Sequence, residues 1–337
     1  ARRAERIGPI GLLMEGSVKG HNDDANDYPT PLMPDFARLP PELAPLSSIR
    51  DWVRWGASRF DEAGLVFGHG TDNALDEAFH LVLHALHLPG EIPALYLESA
   101  LSDTERFTVY SLLRKRIESR VPAAYLIGEI GFSGFPFYVD ERVLVPRSPI
   151  AELIERGFVP WLDHPPSKVL DLCAGSGCIG IACALHFDCE VDLGEIDAGA
   201  LEVCEKNIAR HHLESRVTAR QSDLFDALGD SVYELIVSNP PYVPTAEWEG
   251  LAEEYQREPR LALEAGADGM DLVERILKNA AKHLTRDGLL VCEIGGSREE
   301  FEARWPRLNV TWIEFQRGGD GVFVVGRDDL QRLKAGK

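Results

Sequence analysis

The sequence predicts an α/β protein: a doubly wound, mostly parallel seven-stranded sheet preceded by a small helical domain. Three observations carry that expectation. Beyond Ile150, short apolar runs alternate with helical segments, and repeated strand-helix units require a parallel sheet with right-handed crossovers. Lys168 to Leu172 runs through Gly175 and Gly177 into a helical stretch near Cys178–Leu185, the order strand, Gly-rich turn, helix. Upstream, from Ser47, apolar residues recur at helical rather than strand spacing. A chain of 337 residues that is 45% hydrophobic can bury a proper core in one large or two ordinary domains.

Residues 1–45 are rich in Gly, Pro, Asn and Asp and show no sustained period, which predicts a mobile arm. Residues 46–127 form the helical domain. Ser47 or Ser48 is placed to cap a helix carrying Ile49, Trp52, Val53 and Phe60, and Thr71 or Asp72 to cap one carrying Leu75, Phe79, Val82, Leu83 and Leu86. Ser102-Asp103-Thr104-Glu105 reads as a capping box for a third, with Phe107, Tyr110, Leu113 and Ile117 on one face. His80, His84 and His87 share a stripe, which reads as a partly exposed helix face rather than a metal site. Residues 128–148 form a hairpin linker whose two aromatic runs flank Asp140-Glu141. Residues 149–330 are the α/β domain, with strands at Val169–Leu172, Glu190–Leu193, Val217–Arg220, Leu235–Val237, Leu289–Ile294, Val310–Phe315 and Val322–Val325. The short final connection demands an antiparallel pair, hence one reversed edge strand.

The formal net charge of −20 argues against non-specific nucleic-acid binding, which needs clustered Lys and Arg, and suits a basic protein partner. Five of the six cysteines fall between Cys173 and Cys204, and Cys173, Cys178 and Cys183 lie five apart, matching no zinc pattern. Free buried thiols in a reducing cytoplasm are expected. No apolar run reaches membrane-spanning length, and Arg2-Arg3 lacks the apolar core of an export signal. The sequence starts at Ala1, which fits a trimmed start.

Two stretches carry chemistry. Asn239-Pro240-Pro241-Tyr242 directly follows an apolar run, and two prolines fix φ and remove two N–H donors, so a rigid loop must stand at a strand end. Such a loop presents the Asn239 amide, backbone acceptors and an aromatic ring, a set suited to gripping a planar polar group. The second stretch is Asp171-Leu172-Cys173-Ala174-Gly175-Ser176-Gly177. With Gly180 it satisfies the dinucleotide pattern GxGxxG literally, a weak signal alone. In a doubly wound sheet the ligand sits at the carboxyl ends of the strands, where Asp171, Gly175, Glu195, Asp223 and Asn239 converge. A carboxylate at Asp171 would repel a pyrophosphate but attract an amine or sulfonium. Glu195, after the second strand, is placed to accept from ribose hydroxyls.

With these residues in hand, the chain resembles the protein-glutamine N-methyltransferases of the HemK/Prm family, which use S-adenosyl-L-methionine on a Rossmann-like fold. The resemblance spans roughly residues 47–327. Val145-Pro146-Arg147-Ser148-Pro149-Ile150, Trp312-Ile313-Glu314-Phe315 and Gly318-Gly319-Asp320-Gly321-Val322-Phe323 look like the branch acting on large-subunit ribosomal protein L-three rather than the branch acting on release factors. Glu195 stands where Asp is usual and Asp197 where Ser is usual.

The resemblance implies that Asn239, Pro240, Pro241 and Tyr242 address the acceptor amide and that Phe132 lines the substrate pocket. It further implies that Asp171, Leu172, Cys173, Ala174, Gly175 and Gly177 cradle the methionine part of the cofactor, Glu195 holds ribose, and Asp223 and Leu224 border adenine. The implied acceptor is a glutamine of a basic ribosomal protein in the cytoplasm, with no membrane, metal or direct nucleic-acid partner. Rival readings are release-factor methylation, an amino-methyltransferase acting on a nucleic-acid base, a nicotinamide dehydrogenase and a non-catalytic binding protein.

Overall fold

The computed structural model describes residues 39–335. The expected arm at residues 1–45 therefore lies outside the described residues except at its end, where Pro41–Leu43 makes a 3-10 turn.

The helical part begins with α1 (Ile49–Glu62), where the Ser48 hydroxyl accepts the Asp51 N–H at 3.2 Å and the Asp51 carboxylate accepts the Ser48 N–H at 3.0 Å. This reciprocal box satisfies two donors that the first helical turn leaves unpaired. α2 (Ala74–Ala85) is capped by Asn73, not by Thr71 or Asp72. Asn73 is extended at φ −155° and accepts the Asp76 N–H at 2.9 Å, whereas the Thr71 hydroxyl is turned to Glu77 at 3.2 Å. Starting the helix there turns Leu75 outward, 55% exposed, and buries the stripe through Ala74, Ala78, Leu81 and Val82. α3 (Asp103–Ser119) opens on the expected Ser102/Glu105 box, but its buried residues are Val109, Leu113 and Arg116. Phe107, Tyr110 and Ile117 lie on the half-buried flank of that stripe. α4 (Ala123–Ile127) ends on left-handed Gly128.

A hairpin follows, with β1 (Glu129–Phe132) paired to β2 (Phe135–Tyr138). Its turn is Ser133-Gly134, not Asp140-Glu141. Both turn residues have positive φ, 48° and 84°, and two successive left-handed residues let a two-residue turn match the strand twist. Residues 139–149 then run as an irregular strap to α5 (Ile150–Glu155).

The sheet elements are β3 (Lys168–Leu172), α6 (Cys178–His186), β4 (Glu190–Glu195), α7 (Ala198–Arg210), β5 (Val217–Gln221), β6 (Tyr233–Ser238), the short helices α8 (Thr245–Trp248) and α9 (Glu253–Gln256), α10 (Asp271–His283), β7 (Leu284–Glu293), α11 (Arg298–Arg304), β8 (Thr311–Trp312), β9 (Val322–Gly326) and α12 (Arg327–Ala335). The seven strands lie in the order β5-β4-β3-β6-β7-β9-β8, parallel up to β7. The reversed strand is β9, and it is not at the edge: it lies antiparallel between β7 and β8. The reason is burial. Val322, Phe323, Val324 and Val325 are at most 4% exposed, so they need a neighbour on each side, whereas β8 is two partly exposed residues and tolerates the edge.

Alternation of side chains sorts the sheet into two cores. Val169, Leu235, Val237 and Val291 pack towards α5, α6 and α7, while Leu170, Ile236, Leu290 and Cys292 pack towards α10 and α12. Met270, Val273, Ile276, Leu277 and Ala280, the apolar side of α10, are all at most 1% exposed. All six cysteines are free thiols, five of them buried.

Candidate active site

The chain winds outward from β3 through β4 to β5, then returns to start again at β6 on the other side of β3. At that reversal the loops after two neighbouring strands part and leave a crevice. Leu172 pairs with Ser238, and the Ser238 hydroxyl donates to the Leu172 carbonyl at 2.9 Å. The glycine turn and the Asn239 loop therefore start side by side. They open onto a cavity of about 380 Å³ lined by Cys173, Ala174, Gly175, Glu195, Asp223, Leu224, Asn239 and Pro241 among others. That is the size of a small-molecule site.

Three glycines shape the turn for distinct reasons. Gly175 and Gly177 have φ of +56° and +77°, a region in which an L side chain is strained. Gly180 is required by space: a Cβ there would sit 2.3 Å from Leu193 Cδ2. α6 has no capping side chain at Gly177. Asp171 supplies the cap from β3 instead, its Oδ2 accepting the Gly180 N–H at 2.8 Å. Its Oδ1 is buried without a partner. Burial pushes the Asp171 carboxyl up to about 7, against the pull of that N–H bond. Asp171, Leu172 and Gly177 stand behind the cavity surface rather than on it.

Glu195, the last residue of β4, is 7% exposed and reaches back over the turn. One oxygen accepts the Gly175 N–H at 2.8 Å and the other the Asp197 N–H at 2.9 Å. Burial raises its pKa, partly offset by these bonds. The extra methylene relative to Asp lets the carboxylate bridge strand end and turn. Asp197 takes the N-cap of α7, accepting the Ala200 N–H at 2.8 Å. Asp223 is paired with Arg275 of α10 at 2.8 Å. Cys173 and Leu224 are non-glycine residues at positive φ, 58° and 54°, strain of the kind that gathers at ligand sites.

In the second loop Asn239 is half-buried at the cavity, and Pro240 and Pro241 are buried. Tyr242 does not line the cavity: its hydroxyl donates to Glu293 at 3.3 Å, and a Cβ on Gly295 would come within 2.6 Å of its ring. Nor does the structure bring Phe132 there. Phe132 is 5% exposed, packed edge-on to Phe137 at 6.2 Å in the core of the hairpin.

Sequence reasoning missed the opposite wall. Arg142, Val143, Leu144, Pro146, Arg147 and Ser148 of the strap face the cavity, with Pro259, Leu261 and Ala262 beside them. Neither strap arginine is a free cation. Arg147 forks onto Glu258 at 2.7 and 2.8 Å, and Arg142 is held by Asp140 and Glu202. Glu258 also accepts the Val145 N–H at 2.9 Å; burial pushes its carboxyl up, but the neighbouring His69 ring and then the Arg147 guanidinium hold it at about 2.

The donor set fits S-adenosyl-L-methionine. Ser176 Oγ, at the cavity wall, is a buried polar atom without a partner, and it is an acceptor that a methionine ammonium group would satisfy. Glu195 keeps lone pairs free for hydroxyl donors. Ile196 and Leu224 add apolar wall. Glu195→Ala is expected to weaken cofactor binding by about 1–3 kcal/mol, because it removes a charged acceptor and frees the Gly175 N–H. Calorimetry decides it, and unchanged affinity would take Glu195 out of the site.

Comparison with known proteins shows what the chain is similar to. A family model described as Methyltransferase small domain matches residues 156–266. A ribosomal protein uL3 glutamine methyltransferase of Bordetella pertussis is 46% identical over 288 residues, 85% of this chain and 97% of that one. Its counterpart in Xanthomonas campestris pv. campestris is 49% identical over 283 residues, 83% of this chain and 91% of that one. Among solved structures, a methyltransferase from Pyrococcus furiosus matches with a TM-score of 0.43 and 18% identity, covering 57% of this chain and 88% of that chain. Identity approaching one half over more than four-fifths of the chain settles the matter: this protein belongs to the family of ribosomal protein uL3 glutamine methyltransferases.

Proposed function

We propose that the protein transfers a methyl group from S-adenosyl-L-methionine to the side-chain amide nitrogen of a glutamine in ribosomal protein uL3, using the cavity between the glycine turn and the Asn239 loop. The observation that carries this reading is the Leu172–Ser238 register, which opens a cofactor-shaped turn and an amide-gripping loop onto one cavity.

When bound, the cofactor supplies an electrophilic methyl group on a sulfonium sulfur. Everything else falls to this chain. An amide nitrogen is a poor nucleophile, since its lone pair is delocalised into the carbonyl, so orientation must supply most of the help. Asn239 Oδ1 and the Pro240 carbonyl accept the two amide hydrogens, aiming the nitrogen at the methyl group and stabilising positive charge as it develops there. Transfer to the nitrogen would leave the cofactor's sulfur with the electron pair as a neutral thioether, and the surplus amide proton would then pass to solvent. Glu195 would accept from the ribose hydroxyls, Ile196 and Leu224 would flank the adenine ring, and the turn at residues 173–177 would hold the methionine part. Pro241 and the strap form the walls of the acceptor slot.

The acceptor must arrive on an extended, exposed segment, before ribosome assembly buries it, so the cytoplasm is the place of action. Among the described residues no helix is long and apolar enough to cross a membrane. A net charge of −20 attracts a basic partner. Association is expected to weaken as salt rises to physiological strength, where exposed charges are screened over about 8 Å. Titration of purified uL3 at two salt concentrations reads that out. The test of the function itself is mass spectrometry of uL3 and of release factors after incubation with enzyme and labelled cofactor. Methyl-glutamine on uL3 is expected, and faster modification of release factors at matched salt would overturn the substrate while leaving the chemistry standing.

A further inference from the structure

We infer that Glu293 is a positioning residue for methyl transfer, a staple that holds the Asn239 loop at a set distance from the strap across the acceptor slot. Glu293 ends β7, is 6% exposed, and takes no part in the chemistry above. Its Oε2 accepts from the Ser148 hydroxyl at 2.5 Å, and its Oε1 accepts from the Tyr242 hydroxyl at 3.3 Å. Ser148 belongs to the strap, lines the cavity and accepts the Ile150 N–H at 3.2 Å, fixing the start of α5. Tyr242 closes the Asn239 loop. One carboxylate thus joins the two walls between which the glutamine side chain must lie.

The surroundings leave Tyr242 little freedom to take another partner. A Cβ on Gly295 would reach within 2.6 Å of its ring, and one on Gly269 would lie 2.1 Å from its carbonyl oxygen. Beyond Tyr242 the chain stays pinned, with the Val243 N–H bonded to the Leu263 carbonyl at 2.8 Å. The loop therefore moves as a unit with Tyr242, and Glu293 is its only described acidic link to the strap.

The link is sensitive to charge. Burial lifts the Glu293 carboxyl to about 7; the Ser148 and Tyr242 hydroxyls and the Arg147 guanidinium favour its ionised form, and Asp320 opposes it. An ionised acceptor makes bonds roughly twice as strong as a neutral one, so both walls are held more firmly above that pH than below it. The longer Tyr242 bond is the weaker of the two.

This inference rests on the methyl-transfer reading, and its test separates the two. Glu293→Gln keeps the shape and removes the charge. We expect kcat on uL3 to fall about tenfold, the scale of one charge-assisted bond spent on positioning, with cofactor affinity unchanged. The rate of the unaltered enzyme should rise through neutral pH, and that rise should be missing in Glu293→Gln. Hydrogen exchange should quicken in residues 239–245 and 143–150 of the variant. Tyr242→Phe and Ser148→Ala each cut one link, and combining either with Glu293→Gln should cost less than the product of the single effects. Exchange and pH profile unchanged in Glu293→Gln would overturn the inference, as would a loss of cofactor affinity matching the loss of rate. If the unaltered enzyme methylates no glutamine at all, the proposed function fails, and hydrogen exchange still decides the staple.

Discussion

Asn239→Ala is expected to lose about two to three orders of magnitude in kcat while binding S-adenosyl-L-methionine almost as before. Asn239 lines the cavity from the loop after β6, beside the turn proposed to hold the cofactor. Its removal deletes one of the two acceptors proposed to orient the substrate nitrogen and leaves the turn at residues 173–177 untouched. The loop should also keep its shape, since Pro240 and Pro241 fix their own φ and Ser238 stays bonded to Leu172 at 2.9 Å. Single-turnover rates with saturating uL3, set beside calorimetric cofactor affinities, read the two effects separately. An equal fall in both would make Asn239 a structural residue.

The local geometry of loop and turn was legible in the residues. Gly175 and Gly177 answer a local demand of dihedral angle that sequence alone expresses, whereas the space required at Gly180 is set by Leu193 of β4. The proline pair likewise announces a rigid strand end wherever it falls. Asp171 and Glu195 could be placed at strand ends by counting, and both stand there. Their partners could not be read, because the Gly180 and Gly175 N–H groups reach them only through the tertiary crossing of β3, α6 and β4.

Where the expectation slipped, a local pattern had two readings and packing chose. Ser133-Gly134 and Asp140-Glu141 both look like turns, and only the pair able to adopt two positive φ values in succession makes the hairpin. β9 looked like an edge strand because its connection to β8 is short. Its unbroken apolar run, buried on both faces, places it inside. Phe132 and Tyr242 were expected beside the substrate from the family resemblance. Phe132 is taken by the core under the hairpin, and Tyr242 is turned towards Glu293. The strap wall escaped notice because its anchors, Glu258 and Glu293, lie 113 and 145 residues away from Val145 and Ser148.

The least legible feature, and the one with the largest expected effect on stability, is the charge cluster under the helical part. Arg116 is wholly buried, and Glu77 and Glu254 are each 1% exposed. In sequence each sits among other charged or polar residues and reads as surface. In the fold, Arg116 Nε donates to Glu77 Oε1 at 2.7 Å, and Nη1 lies 3.7 Å from Glu254 Oε1, an ion pair without a hydrogen bond. Glu254 also accepts the Val66 N–H at 3.2 Å and pairs with Arg120 at 3.2 Å. Burial alone would raise its pKa, but these N–H bonds and the two arginines hold it below the ordinary value.

Arg116→Met roughly keeps the volume, strands the buried Glu77 carboxylate and leaves Glu254 with Arg120 as its one remaining arginine, so it is expected to cost about 3–5 kcal/mol of folding stability. Because Glu254 lies in the segment that follows the Asn239 loop, the variant should also lose activity as that segment loosens. The penalty should shrink as pH falls. An unpaired buried carboxyl has its folded pKa raised, takes up a proton more readily in the folded state, and so stabilises the variant towards acid. Adding Glu77→Gln and Glu254→Gln to Arg116→Met should restore much of the loss, since the cost lies in uncompensated charge rather than in the missing pair. Urea unfolding of the single and triple variants at neutral and mildly acid pH measures the three stability claims, and a methyl-transfer assay the loss of activity. Equal destabilisation of single and triple variants would show that packing of the guanidinium stem, and not its charge, holds the helical part against residues 253–258.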